Sequence, residues 1–160
     1  TIERCAEVTE VTLTAVYQEL AESRVVLEGT LLKPNMILSG KDCPTQAEVQ
    51  RVAEETIRVL KSSVPAEVPG IVFLSGGQSS ELATMHLNAM NTIGGVPWEL
   101  SFSYGRALQE ATLKAWDGNP ANADAAQGAL YHRAKCNGAA RFGDYTDKME
   151  VEASLEMGTS

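Results

Sequence analysis

The sequence predicts an α/β fold in which parallel strands are joined by crossover helices, and three observations carry that prediction. Three short runs rich in β-forming residues stand out, Val25–Lys33, Gly70–Leu74 and Trp98–Ser103. Longer stretches with apolar residues at helical spacing lie between and beyond them. The second and third runs end in turn-forming text directly before a helical stretch. The order α-β-α-β-α-β-α-α is that of parallel strands with helical crossovers.

The first helix is expected over Glu7–Ser23, where Val8, Val11, Ala15, Val16 and Leu20 fall near helical spacing. The run Val25–Lys33 follows and is closed by Pro34, which reads as a strand with both faces covered. Alternation would put Leu27, Gly29, Leu31 and Lys33 on one face. After a loop with Pro34, Gly40 and Pro44, Thr45-Gln46-Ala47-Glu48 fits a capping box opening a helix to about Ser62. Its stripe is Val49, Val52, Ala53, Ile57 and Leu60. Gly70–Leu74 is the second strand, running into Ser75-Gly76-Gly77 and a helix over Glu81–Asn91. The third strand, Trp98–Ser103, alternates cleanly: Trp98, Leu100 and Phe102 face one way, Glu99, Ser101 and Ser103 the other. Helices over Ala107–Trp116 and Asn122–Ala139 complete the periodic part. Residues 1–143 therefore read as one α/β unit, to which the resemblance given below assigns a partial barrel, and 144–160 read as a flexible tail.

A length of 160 residues suits a single domain, and 44% hydrophobic content is that of a folded soluble chain. A net charge of −8 argues against nucleic acid and anionic membrane as partners, yet leaves room for a phosphorylated small molecule held by a local cationic site. No run is long and apolar enough to span a bilayer, and no signal peptide is expected. Three widely spaced cysteines, Cys5, Cys43 and Cys136, fit a reducing compartment and no zinc motif. The chain starts Thr1-Ile2-Glu3 without an initiator Met, which points to processing or to a piece of a longer chain.

Chemistry is concentrated at the three strand ends. Lys33 closes the first. Burial disfavours an ammonium, and a lysine that sheds its proton near neutrality can attack a carbonyl and form a Schiff base. The alternative is a side chain that reaches past the strand end to solvent. The second and third strands end in Ser75-Gly76-Gly77 and Ser103-Tyr104-Gly105-Arg106, each before a helix. Glycine lets backbone approach an anion, helix N-terminal amides donate to it, and a guanidinium adds a planar fork suited to phosphate. Read otherwise, these are ordinary βα turns with a surface arginine. His86 and His132 share no ligand spacing with one another and read as packing or surface residues. Strand and helix order alone admits either a piece of a (β/α)₈ barrel or a doubly wound sheet. Ser101 and Ser103 suit a barrel interior better than a face under a helix.

Three motifs, Leu27–Met36, Phe73–Ser79 and Phe102–Gln109, together with Ala111–Trp116, resemble the class I fructose-bisphosphate aldolases, and the likeness runs from about Arg4 to Tyr145. The resemblance implies a (β/α)₈ TIM barrel of which this chain is the C-terminal half, holding strands six to eight with their helices and incomplete as given. It implies Lys33 as the Schiff-base lysine, and Ser75, Gly76, Gly77, Ser103, Gly105 and Arg106 as ligands of a substrate phosphate. It further implies reversible cleavage of fructose 1,6-bisphosphate to glycerone phosphate and glyceraldehyde 3-phosphate in glycolysis and gluconeogenesis. No metal or other cofactor is expected, the intact parent would be a homotetramer, and its location would be the cytoplasm or a plastid. The family's catalytic glutamate lies upstream of Thr1, and its functional C-terminal Tyr has no counterpart in Met157-Gly158-Thr159-Ser160. The 160-residue chain alone is therefore expected to be inactive. The rivals are a non-catalytic half-barrel and a phosphosugar-binding barrel of different chemistry. In a half-barrel, Leu27, Leu31, Ile71 and Phe73 are expected on the face that loses its packing partners.

Overall fold

The computed structural model describes residues 1–151. It is an α/β structure with a three-stranded parallel sheet, in the order β1 (Leu31–Leu32), β2 (Gly70–Phe73), β3 (Glu99–Phe102). It is accompanied by α1 (Ile2–Glu22), α2 (Val49–Ser63), α3 (Ser80–Ile93), α4 (Arg106–Trp116) and α5 (Ala123–Ala140).

The sheet has one closed and one open face, and the register shows why. Ile71 pairs with Leu100 and Leu32, and Phe73 pairs with Phe102, so these side chains share a face. Ile71, Phe73 and Leu100 are buried in the core with residues of α2 and α3 such as Val52, Leu60, Leu87 and Met90. The other face carries Leu31, Gly70, Val72, Glu99 and Ser101, and of these only Gly70 is buried. A Cβ at Gly70 would come within 3.0 Å of the Leu31 side chain, so the glycine makes room for its neighbour. Ile71 and Phe73 thus sit under the helices, not on the face expected to lose partners, because that face is carried by the alternate residues.

The helices form a continuous layer. α1 packs on α2, α2 on α3, α3 on α5, and α5 on α4. The α3–α5 seam is polar and satisfied at several points. Thr84 Oγ1 donates to Asn137 Oδ1 at 2.7 Å, and Asn91 Nδ2 donates to the Ala140 carbonyl at 3.0 Å.

Three expectations give way. The run Val25–Lys33 is not a continuous strand. Leu27–Gly29 is a 3₁₀ turn, in which the Thr30 hydroxyl and amide both donate to the Leu27 carbonyl, at 2.7 and 3.0 Å. Among the described residues only Leu31–Leu32 pairs, and with β2 alone, so Val26 and Leu31 are 71% and 64% exposed on an edge where burial on both faces was expected. Thr45 does not cap a helix. Gln46 donates to the carbonyls of Gly40 and Cys43, which ties this stretch into the preceding loop. α2 starts later, with Glu48 at its N-cap and no side-chain capping bond. The start of the expected tail is also anchored. Tyr145 is buried, its amide donates to Asn88 Oδ1 at 3.0 Å, and its hydroxyl donates to Glu150 at 2.8 Å. Glu150 in turn receives both terminal nitrogens of Arg133, each at 2.8 Å. Residues 152–160 of the expected tail lie outside the described residues.

Candidate active site

Parallel strands put all their C-terminal ends on one edge of a sheet, and here that edge gathers the chemistry. Two hydrogen bonds extend the ladders past the strands: the Leu74 amide donates to the Pro34 carbonyl and the Ser103 amide to the Phe73 carbonyl, both at 2.9 Å. Lys33, Ser75-Gly76-Gly77 and Ser103–Arg106 are therefore brought side by side. Continuing the alternation from Leu31, Val72 and Ser101 puts Lys33, Leu74 and Ser103 on the open face.

Lys33 is exposed, whereas burial was expected. The reason is its place directly after the edge strand β1, at a face that none of the described residues covers. Its neighbour Asn35 marks the next loop: a Cβ on Gly76 would lie 3.0 Å from Asn35 Oδ1.

The loop after β2 needs glycine twice. Gly76 and Gly77 have φ of +59° and +82°, a conformation that side chains with a Cβ rarely adopt. Ser75 before them is buried, while both glycines are exposed and present their backbone to solvent. Ser79 caps α3, its hydroxyl accepting from the Leu82 amide at 3.2 Å. Gln78 clamps the loop: its side-chain oxygen accepts from His86 Nδ1 at 2.5 Å and its amide reaches Met36 Sδ at 3.5 Å. His86 is 2% exposed, and burial pulls its imidazole down from 6.5 to about 4, so it is neutral at pH 7. It packs and clamps, as a helix-borne histidine without ligand partners should.

The loop after β3 is held differently. Tyr104 is buried, its hydroxyl donates to the Ala83 carbonyl at 2.9 Å, and its ring lies 5.4 Å from that of Phe102. Burial raises its phenol well above the usual range, so the donor proton stays in place. Gly105 then stands at the N-cap of α4 and has no side chain to cap it. The first turn of α4 therefore has no side-chain cap, and the exposed Arg106 lies in it. Ser103 is half-buried at the same edge.

One cation was not singled out from the sequence. Lys41 lies over the glycine loop, its Cε and Nζ 3.7 and 4.0 Å from where a Gly77 Cβ would be. A loop lysine eight positions past Lys33 carries no periodic signal, so only the fold brings it there. A cavity of about 400 Å³ lined by Lys41, Gly76, Gly77, Gln78, Ser79 and His86 lies at this point.

What the edge offers is a primary amine on an open sheet face, flanked by two glycine-containing loops that each lead into a helix N-terminus. That arrangement suits a phosphorylated carbonyl compound, with the phosphate at the loops and the carbonyl toward the amine.

Comparison with known proteins agrees with the motifs. The family model described as fructose-bisphosphate aldolase class-I matches residues 1–158. A probable fructose-bisphosphate aldolase class 1 of Xanthomonas campestris pv. campestris is 55% identical over 145 residues, covering 90% of this chain and 43% of that protein. The cytosolic fructose-bisphosphate aldolase 4 of Arabidopsis thaliana is 54% identical over 160 residues, covering 99% of this chain and 40% of its own length. A solved fructose-bisphosphate aldolase from Plasmodium falciparum superimposes with a TM-score of 0.89 at 46% identity, over 91% of this chain and 42% of that one. The chain thus spans about two fifths of the length of these relatives.

Proposed function

Because the chain belongs to the class-I fructose-bisphosphate aldolases, we propose that it is the C-terminal half of a (β/α)₈ barrel and carries the Schiff-base lysine of a fructose 1,6-bisphosphate aldolase. In this reading residues 1–143 supply strands six to eight of the barrel with their helices. The observation that carries it is the open sheet face: Lys33 and Ser103 lie on it, and the remaining strands of a barrel would enclose it. An exposed lysine at the end of an edge strand is what half of such an enclosure leaves behind.

The chemistry follows from the placement. Ser75, Gly76, Gly77, Ser103, Gly105 and Arg106 hold one phosphate, by loop amides, hydroxyls and a guanidinium. That fixes the ketone over Lys33. The Lys33 amine forms a C–N bond to the ketone carbon, and the carbonyl oxygen departs as water to leave an iminium ion. A base from residues outside this chain removes the proton of the C4 hydroxyl. The C3–C4 bond then breaks, its electron pair passes into the iminium, and glyceraldehyde 3-phosphate leaves an enamine behind. Protonation and hydrolysis of the enamine release glycerone phosphate and restore the amine. Every step runs through the imine, so none calls for a metal ion. The parent is proposed to be a homotetramer in the cytoplasm. Relatives from Arabidopsis, chickpea and pea that are named cytosolic or cytoplasmic support that placement, and no helix among the described residues is long and apolar enough to cross a membrane.

The test is borohydride trapping in the full-length parent. Substrate and borohydride should leave one stable adduct, and peptide mapping should find it on Lys33. Lys33→Ala and Lys33→Arg should both abolish it, since a guanidinium keeps its proton. An adduct on Lys41 or Lys61 would refute the assignment.

A further inference from the structure

We infer that His132, Cys136 and Glu150 form a binding site for a single thiophilic divalent cation, of which zinc is the best match. None of the three belongs to the proposed aldolase site. His132 and Cys136 are four residues apart on α5, so they project from one face of the helix. The chain then turns at Gly143 and brings Glu150 back against them.

The spacing is that of a coordination sphere. One ligand atom from each residue lies within 4.8 Å of the other two. Cys136 Sγ is 3.6 Å from His132 Nε2, and Nε2 is 3.2 Å from Glu150 Oε2. Zinc bonds of about 2.3 Å to sulfur and about 2.0–2.2 Å to nitrogen and oxygen give tetrahedral edges of about 3.6 and about 3.3 Å. The Sγ–Nε2 and Nε2–Oε2 separations already match two edges of such a tetrahedron, and the 4.8 Å limit leaves the sulfur-to-oxygen edge to close by at most about 1.2 Å on binding. A sulfur, an imidazole and a carboxylate select zinc or a similar borderline-soft ion over calcium or magnesium, which prefer oxygen alone.

The surroundings also fit. Arg133 donates to both oxygens of Glu150, and Tyr145 donates to one of them, which fixes the carboxylate while leaving lone pairs on the side of His132. Arg133 also meets Glu81 at 3.1 Å. Glu150 and Glu81 are offset by Arg133 and Lys135, so an ionised Cys136 would add the uncompensated negative charge that a cation at the site offsets. Cys136 is fully buried, while the side chains of His132 and Glu150 are 20% and 23% exposed, so an ion has a way in. On binding, the thiol proton leaves to solvent, and the imidazole binds through Nε2 with its proton on Nδ1. A three-ligand site keeps a fourth position for water.

The experiment titrates Co²⁺ into the reduced, chelator-treated protein. One equivalent should produce a thiolate-to-cobalt charge-transfer band in the near ultraviolet, and Zn²⁺ should bleach it. Cys136→Ser should abolish the band, and the double variant Cys5→Ser/Cys43→Ser should keep it. Since a buried serine could upset folding, His132→Gln, at a partly exposed position, provides the second arm. It should weaken cobalt binding at least about tenfold, the lower end of what loss of even an outer partner costs. No charge-transfer band in the folded protein, or a band unaltered by both Cys136→Ser and His132→Gln, would overturn the site and leave the cluster as an ion-pair latch. The readout is independent of aldol cleavage, so its failure and that of the aldolase reading are separable.

Discussion

His86 should make the protein lose stability on mild acidification, and the size of the loss can be worked from its burial. The imidazole is 2% exposed in α3, and its proton affinity falls from 6.5 to about 4 through desolvation. At about 1.4 kcal/mol for each tenfold change in proton affinity, that difference corresponds to about 3 kcal/mol. The sign follows from linkage. The unfolded chain takes up the proton near pH 6.5, the folded chain only near pH 4, so protonation favours unfolding. The contribution is complete above about pH 6.5, declines between the two values, and is gone below about 4. His86→Gln removes the titrating group and leaves an amide that can still donate to Gln78 Oε1. Urea unfolding of both proteins at a series of pH values across that range would measure the difference. Groups that titrate in both proteins cancel. The wild type should lose about 3 kcal/mol more than the variant between neutral pH and pH 4. Parallel stability curves would refute the reasoning, because they would mean that the folded state accommodates the charged imidazole as readily as water does.

Arg106→Ala in the parent should weaken bisphosphate binding about ten- to a hundredfold, since a charge-assisted hydrogen bond contributes about 1.5–3 kcal/mol. A sugar without phosphate should bind unchanged, and calorimetry with both ligands decides it; equal weakening would make Arg106 structural. Residues 1–160 expressed alone should show no aldol cleavage, and cleavage should appear when the upstream half is added, because a positioned acid or base contributes about 10²–10⁴ in rate. Full activity of the isolated chain would overturn the half-barrel.

The helices were legible because their signal is local. Val52, Ile57 and Leu60 recur on one stripe, and that stripe is the buried side of α2. Trp98 and Leu100 alternate with Glu99, and the first two are buried while Glu99 is exposed and bonds Arg141 at 2.8 Å. The glycine pair after β2 announced a turn, and both residues adopt positive φ. Val25–Lys33 misled for the opposite reason. Apolar β-formers state what a segment can do beside a neighbour, and among the described residues only β2 lies beside this one.

By itself, then, the sequence determined the element order, the motifs at the strand ends and, through them, the family. Tertiary structure decided the rest. It made Lys33 an exposed residue just past an edge strand, laid Lys41 over Gly77, and folded Glu150 back onto Arg133, His132 and Cys136. Periodicity and turn chemistry act between residues a few positions apart, and can be read along the chain. Burial, charge pairing and ligand geometry depend on residues brought together from distant positions, and exist only once the helices have packed.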